Sequence, residues 1–198
     1  MATGQRGRPR SFDRDAALDK AMTAFWERGY EATSIADLTA SLGIGAPSLY
    51  AAFGDKRTLF DEVVAVYAGR YGDFASVALA EEPTARAAVE RILREAAGIY
   101  TDPAHPRGCM VTSAAINTTS DEVAQALRER RNANLEMFES RIRADVATGA
   151  LPADTDARAL ARYAGAVLLG MSQQSRDGAT REELEAVAER ALLAWPAA

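Results

Sequence analysis

The chain has one cysteine, Cys109, one histidine, His105, and only seven prolines in 198 residues. A single cysteine closes no internal disulfide. No Cys/His cluster has metal-ligand spacing, so neither a disulfide framework nor a metal site is expected. Glycine-rich phosphate loops, metal boxes and nucleophile elbows are also missing, and no cofactor is expected. No apolar run reaches the roughly eighteen residues of a membrane-spanning helix. The basic N-terminus is not followed by the apolar segment a signal peptide needs. These absences point to a cytoplasmic protein with no membrane partner. An alternating strand pattern is missing too, which leaves helices.

What is present agrees with that. The composition is alanine-rich and 48% apolar, which favours helices, and the length suits one small domain plus one larger one. The net charge of −5 is unevenly spread. A slight basic excess falls within residues 1–60, and the acidic excess lies beyond. A basic end on an acidic body suits a protein that presents that end to a polyanion, although solvated helix faces also carry such charge.

The stretch from Thr33 to Lys56 is the most informative. Ser34 stands three residues before Asp37, the spacing of a reciprocal helix cap. Ile35, Leu38 and Leu42 recur at helical spacing, and Gly43 is suited to the left-handed turn that ends a helix. Pro47 fits the first turn of a second helix, because its missing amide loses no partner there. Leu49, Ala52 and Phe53 share the inner side of that helix, leaving Pro47, Ser48, Tyr50 and Ala51 to face elsewhere. Two short helices joined by a tight turn make a helix-turn-helix, although helix pairs of this kind also occur as plain packing units.

The residues Gly43-Ile44, Ala46-Pro47-Ser48-Leu49-Tyr50, Phe53 and Asp55-Lys56 closely resemble the recognition-helix signature of TetR-family transcriptional regulators. Thr33-Ser34-Ile35-Ala36-Asp37-Leu38 matches the helix before it. The resemblance is specific over about residues 12–60 and rests mainly on length and helical pattern beyond. It implies an all-α protein of about nine helices, with a three-helix DNA-binding domain over 13–54 and a ligand-binding and dimerisation domain over 55–198. It also implies a homodimer through the last two helices, a small-molecule effector, and repression released from a palindromic double-stranded operator.

Candidate DNA contacts follow. Ala46, Pro47, Ser48 and Ala51 are placed for bases, and only Ser48 among them carries a side-chain hydrogen-bonding group, so apolar contact and DNA shape must carry much of the reading. Tyr50 and Lys56 are assigned to phosphates, and Ser34 lies at the edge of the same surface. Residues 1–12 hold Arg6, Arg8 and Arg10 among glycine and proline. Arg8 and Arg10 belong to an arm able to reach a minor groove, or else to a solubilising tail.

The first helix is expected from Asp13 to about Arg28, and a long lever helix from Asp55 into the late seventies. Later helices are expected over about 84–100, 108–118, 120–148, 155–176 and 180–195. Candidate cavity residues are Tyr67, Tyr71, Phe74, Tyr100, Met110, Asn117, Met137, Phe138, Arg141, Tyr163, Met171 and Gln174, each of which also reads as ordinary core. Asn117 and Arg141 carry more information, because polar groups in apolar helices need partners. Cys109, after Arg107 and Gly108, is a candidate thiol sensor of oxidants or electrophiles, or a small buried hydrophobe. With His105 it is also the minimum pair for a thiol enzyme; an enzyme is not the reading adopted.

Overall fold

A computed structural model describes residues 13–114 and 116–196. Among these residues there are ten α-helices: α1 (Arg14–Ala32), α2 (Ile35–Leu42), α3 (Ala46–Phe53), α4 (Lys56–Tyr67), α5 (Phe74–Glu81), α6 (Ala85–Thr101), α7 (Met110–Ser113), α8 (Asp121–Thr148), α9 (Ala157–Arg176) and α10 (Arg181–Leu192). The helix starts obey local chemistry. Asp13 accepts from the amides of Asp15 and Ala16, Asp55 from Thr58 N at 2.7 Å, and Ser120 from Val123 N. Ser34 with Asp37 and Thr180 with Glu183 form reciprocal capping boxes.

The tenth helix arises from a break. The long helix expected from Asp55 stops at Tyr67, passes through a π turn over Ala68–Gly72 and resumes as α5. Gly69 and Gly72 weaken the helix there, by about 1 kcal/mol each relative to alanine. No residue of the turn is buried to hold it regular. Two other expected helices are shorter. The one opening at Gly108 ends at Ser113, and Asn117 lies beyond it with φ 60°. The last ends at Leu192, leaving Trp195 in a turn.

Two cores result. One joins Ala21, Phe25 and Trp26 of α1 with Leu38, Leu49, Phe53, Leu59, Phe60 and Val63, and also takes in Met110, Val111 and Ala114 around α7. The other is built from α5, α6, α9, α10 and the distal half of α8. Cys109 packs against both. The packing therefore continues across residue 54, with α4 closing the core that α1 to α3 begin.

Candidate nucleic-acid interface and effector cavity

The first core fixes how α3 is displayed. Leu49 and Phe53 are buried, whereas Pro47, Ser48, Tyr50 and Ala51 are exposed and Ala46 is half-buried. Gly43 supplies the left-handed turn (φ 70°) and Gly45 caps α3. The guanidinium of Arg14 lies 4.7 Å from the centre of the Phe53 ring and pairs with Glu62 at 2.7 Å, tying α1, α3 and α4 together. Lys56 Nζ sits 4.3 Å above the Tyr30 ring, and desolvation by that packing lowers its pKa. The ammonium is thus held at the start of α4 beside α3. Ser34 is exposed, but its hydroxyl donates to Asp37 Oδ2 at 2.6 Å and accepts from Asp37 N at 3.1 Å. Its geometry explains a helix cap before any DNA contact. Arg8 and Arg10 lie outside the described residues.

A cavity of about 460 Å³ opens where the helix breaks. Of the thirteen residues singled out in the sequence, seven line it: Tyr67, Tyr71, Phe74, Tyr100, Cys109, Met137 and Phe138. Six do not. Asn117 is exposed in its turn, and Gln174 is exposed on α9. Met110 and Met171 are fully buried in the cores. Tyr163 donates to the carbonyl of Ala191, between α9 and α10. Arg141 finds its partners within the chain: it pairs with Asp145 at 3.0 Å and donates to Glu82 O at 3.1 Å.

The cavity also has a polar wall that carries no signal in the sequence. Arg130, Arg131, Asn132 and Asn134 of α8, Arg162 of α9, and Asp73, Ser76 and Thr112 all face the cavity. On a helix as polar as α8 such residues look like a solvated face. Inside the cavity, burial first, then the neighbouring Cys109, pushes the Tyr67 and Tyr100 phenols well above their ordinary pKa. Tyr67 Oη also accepts from Met110 N at 3.2 Å. His105 is not paired with Cys109. Its ring stacks on Trp26 (centroids 4.6 Å, planes 19° apart) and meets Tyr71 edge-on at 4.8 Å, which removes the thiol-enzyme constellation.

A family model described as "Bacterial regulatory proteins, tetR family" matches residues 17–63, and one described as "Tetracyclin repressor-like, C-terminal domain" matches residues 84–191. The chain is also 36% identical, over 194 residues, to the HTH-type transcriptional repressor ComR of Escherichia coli (strain K12), covering 96% of this chain and 92% of that protein. The chain belongs to the TetR family. Among solved structures, it is similar to the TetR family transcriptional regulator CifR, determined as a cysteine mutant complexed with a 26bp double-strand operator DNA. That match has 47% identity and a TM-score of 0.90, and it covers 96% of this chain and 100% of that one. A putative TetR transcriptional regulator from Rhodococcus sp. RHA1 matches at 40% identity and a TM-score of 0.65, covering 92% and 99% of the two chains. Membership makes α2 and α3 the DNA-binding helix-turn-helix of a transcriptional regulator rather than a packing unit, and the named relatives are regulators rather than enzymes. Among the described residues no helix is long and apolar enough to cross a membrane.

Proposed function

We propose that the protein is a cytoplasmic, homodimeric repressor that leaves a palindromic operator when a small molecule fills the cavity. The arm over 1–12 and the helices over 13–54 would bind DNA, and 55–198 would sense the effector and dimerise. One observation carries this reading. The segment 108–114 lines the cavity through Cys109, Val111 and Thr112. The same segment accepts hydrogen bonds from α1, from Trp26 Nε1 to Gly108 O at 3.2 Å and from Tyr30 N to Ala114 O at 3.3 Å. A ligand that repositions it acts directly on the helix supporting α3, and the shift is bounded by the ligand's preference for the altered state. Dimerisation is supported by the open groove lined by Tyr163, Val167, Ala186, Val187 and Arg190 along α9 and α10. Leu169 and Leu193 are 50% and 73% exposed on the same two-helix unit.

Selection of bound duplexes from a random library, followed by anisotropy across a salt series, tests this. A two-fold symmetric sequence whose affinity falls steeply with salt is expected. Absence of any sequence preference would overturn it.

Cys109 supports a second reading, in which an electrophile entering the cavity is trapped at the thiol beside the Tyr67 and Tyr100 hydroxyls. If Cys109→Ser leaves operator release by electrophiles unchanged, that reading is wrong.

A further inference from the structure

The cavity wall has a charge that runs against the rest of the molecule. The protein is net acidic, yet the cavity holds Arg130, Arg131 and Arg162 against one carboxylate, Asp73, which is exposed. Other arginines of these helices are engaged within the chain: on α8, Arg141 pairs with Asp145, Arg143 with Glu139 and Arg128 bonds Gln125, and on α9 Arg176 donates to the carbonyls of Trp26 and Glu27. The three cavity arginines form no ion pair with any described carboxylate. Arg131 is the telling one. It is half-buried, and its described hydrogen bond is a single donation from Nη1 to the carbonyl of Val111 at 2.9 Å. The titratable groups beside it are the Cys109 thiol and Arg128, with no carboxylate among them. A guanidinium offers a planar fork of donors matched to a carboxylate. With one neutral acceptor on it, the rest of that fork remains available to an incoming anion. Tyr71, Phe74, Phe138 and Leu168 supply an apolar seat in the same cavity.

We infer that the effector is an amphipathic carboxylate, its anionic group held by the Arg131 fork with Arg130 and Arg162 nearer the rim, and its apolar body lying against Phe74 and Phe138. The inference rests on the ligand-release reading and sharpens it. It also supplies a route to the DNA-binding end, because the ligand competes with the Val111 carbonyl for Arg131. Val111 belongs to α7, whose flanking carbonyls at Gly108 and Ala114 accept from α1.

The test uses matched probes on the full chain. Anilinonaphthalene sulfonate and phenylnaphthylamine share an aromatic body, and only the first is an anion; their binding is read by fluorescence without DNA. The wild type is expected to prefer the anion by about tenfold or more in Kd. Arg131→Gln should bring the ratio near unity, while Arg131→Lys should keep part of it. Octanoate should displace the sulfonate dye and octanamide should not. Failure of the anionic dye to bind, equal binding of both dyes, or an unchanged ratio in an Arg131→Gln protein that melts cooperatively would overturn the inference. If octanoate binds with this preference but operator occupancy measured separately does not change, the anion site stands and the ligand-release reading falls.

Discussion

The indole N–H of Trp26 donates to the carbonyl oxygen of Gly108 at 3.2 Å, joining α1 to the cavity segment across 82 residues of sequence. Trp26 is 1% exposed, its ring stacks on His105, and its own carbonyl accepts from Arg176 Nη1 at 3.3 Å. Trp26 therefore ties α1, the helix beneath the DNA-binding surface, to the loop before the cavity through its side chain and to the end of α9 through its backbone carbonyl. Trp26→Phe removes the bond and leaves Gly108 O without that donor, at an expected cost of about 1–3 kcal/mol. Denaturant melts should show that loss, and the effector concentration needed for operator release should shift more than effector affinity measured without DNA.

Gly108 itself tolerates no side chain. Its φ is 78°, and a Cβ would lie 2.7 Å from the carbonyl oxygen of Ser172 and 3.0 Å from Ser172 Oγ, the hydroxyl that accepts from Cys109 N. Gly108→Ala combines backbone strain with a clash against a rigid helix, so a loss of about 2–4 kcal/mol is expected, seen as a lower denaturation midpoint. Ala substitution at Gly43, where nothing lies within 4 Å of the built Cβ, carries only the left-handed backbone cost and should be milder.

The exposed face of α3 and the Lys56 ammonium beside it should separate affinity from specificity. Lys56→Ala is expected to weaken binding to every duplex and to reduce the salt slope by about one unit per half-site. Tyr50→Phe should weaken all sequences similarly without changing the folding midpoint, since Tyr50 is 48% exposed. Ser48→Ala should instead change which duplexes a random library yields. A uniform loss from Ser48→Ala would place that hydroxyl on the backbone of DNA.

Asp145 is 3% exposed and holds two elements at once. It accepts from Ala85 N at 2.6 Å at the start of α6 and pairs with Arg141 on its own helix. Asp145→Ala strands a buried amide and unpairs a partly buried guanidinium, and about 2–4 kcal/mol should be lost in chemical denaturation. Asp145→Asn retains an acceptor for Ala85 N and should lose less.

Glu31, at the end of α1, clasps the loop before α8: it accepts from Thr119 Oγ1 at 2.8 Å, Thr119 N at 3.2 Å and Thr118 Oγ1 at 3.1 Å. The Thr119 hydroxyl bond, then the Thr119 amide bond and the Thr118 hydroxyl bond, lower the carboxyl pKa. A depressed native pKa means that the clasp's contribution is complete above the ordinary carboxylate range and is lost as pH falls through the native value. Amide exchange at Thr119 should therefore accelerate on acidification in the wild type, beyond the intrinsic pH effect, and lose that extra dependence in Glu31→Gln.

Much of this architecture was legible because its causes are local. Ser34 with Asp37, Gly43, Pro47 and Asp55 act within one turn of where they stand, and their spacing is enough to mark two short helices, the turn between them and the start of α4. The apolar period that buries Leu49 and Phe53 also determines that Pro47, Ser48 and Tyr50 face out. The cavity was only half legible for the opposite reason. Arg131 and Arg141 lie ten residues apart on one polar helix and look equivalent in sequence. Asp145 and the Glu82 carbonyl satisfy Arg141, while Arg131 meets Val111, a thiol and open space. The break at Ala68–Gly72 that opens the cavity has its glycines in plain view, but a helix bridges two glycines whenever neighbours pack around it. Whether neighbours did so was decided by α8 and α9, far along the chain. The sequence by itself determined the helices and the face shown to DNA, and the tertiary structure alone decided which arginine of α8 was left beside the cavity without an acid partner.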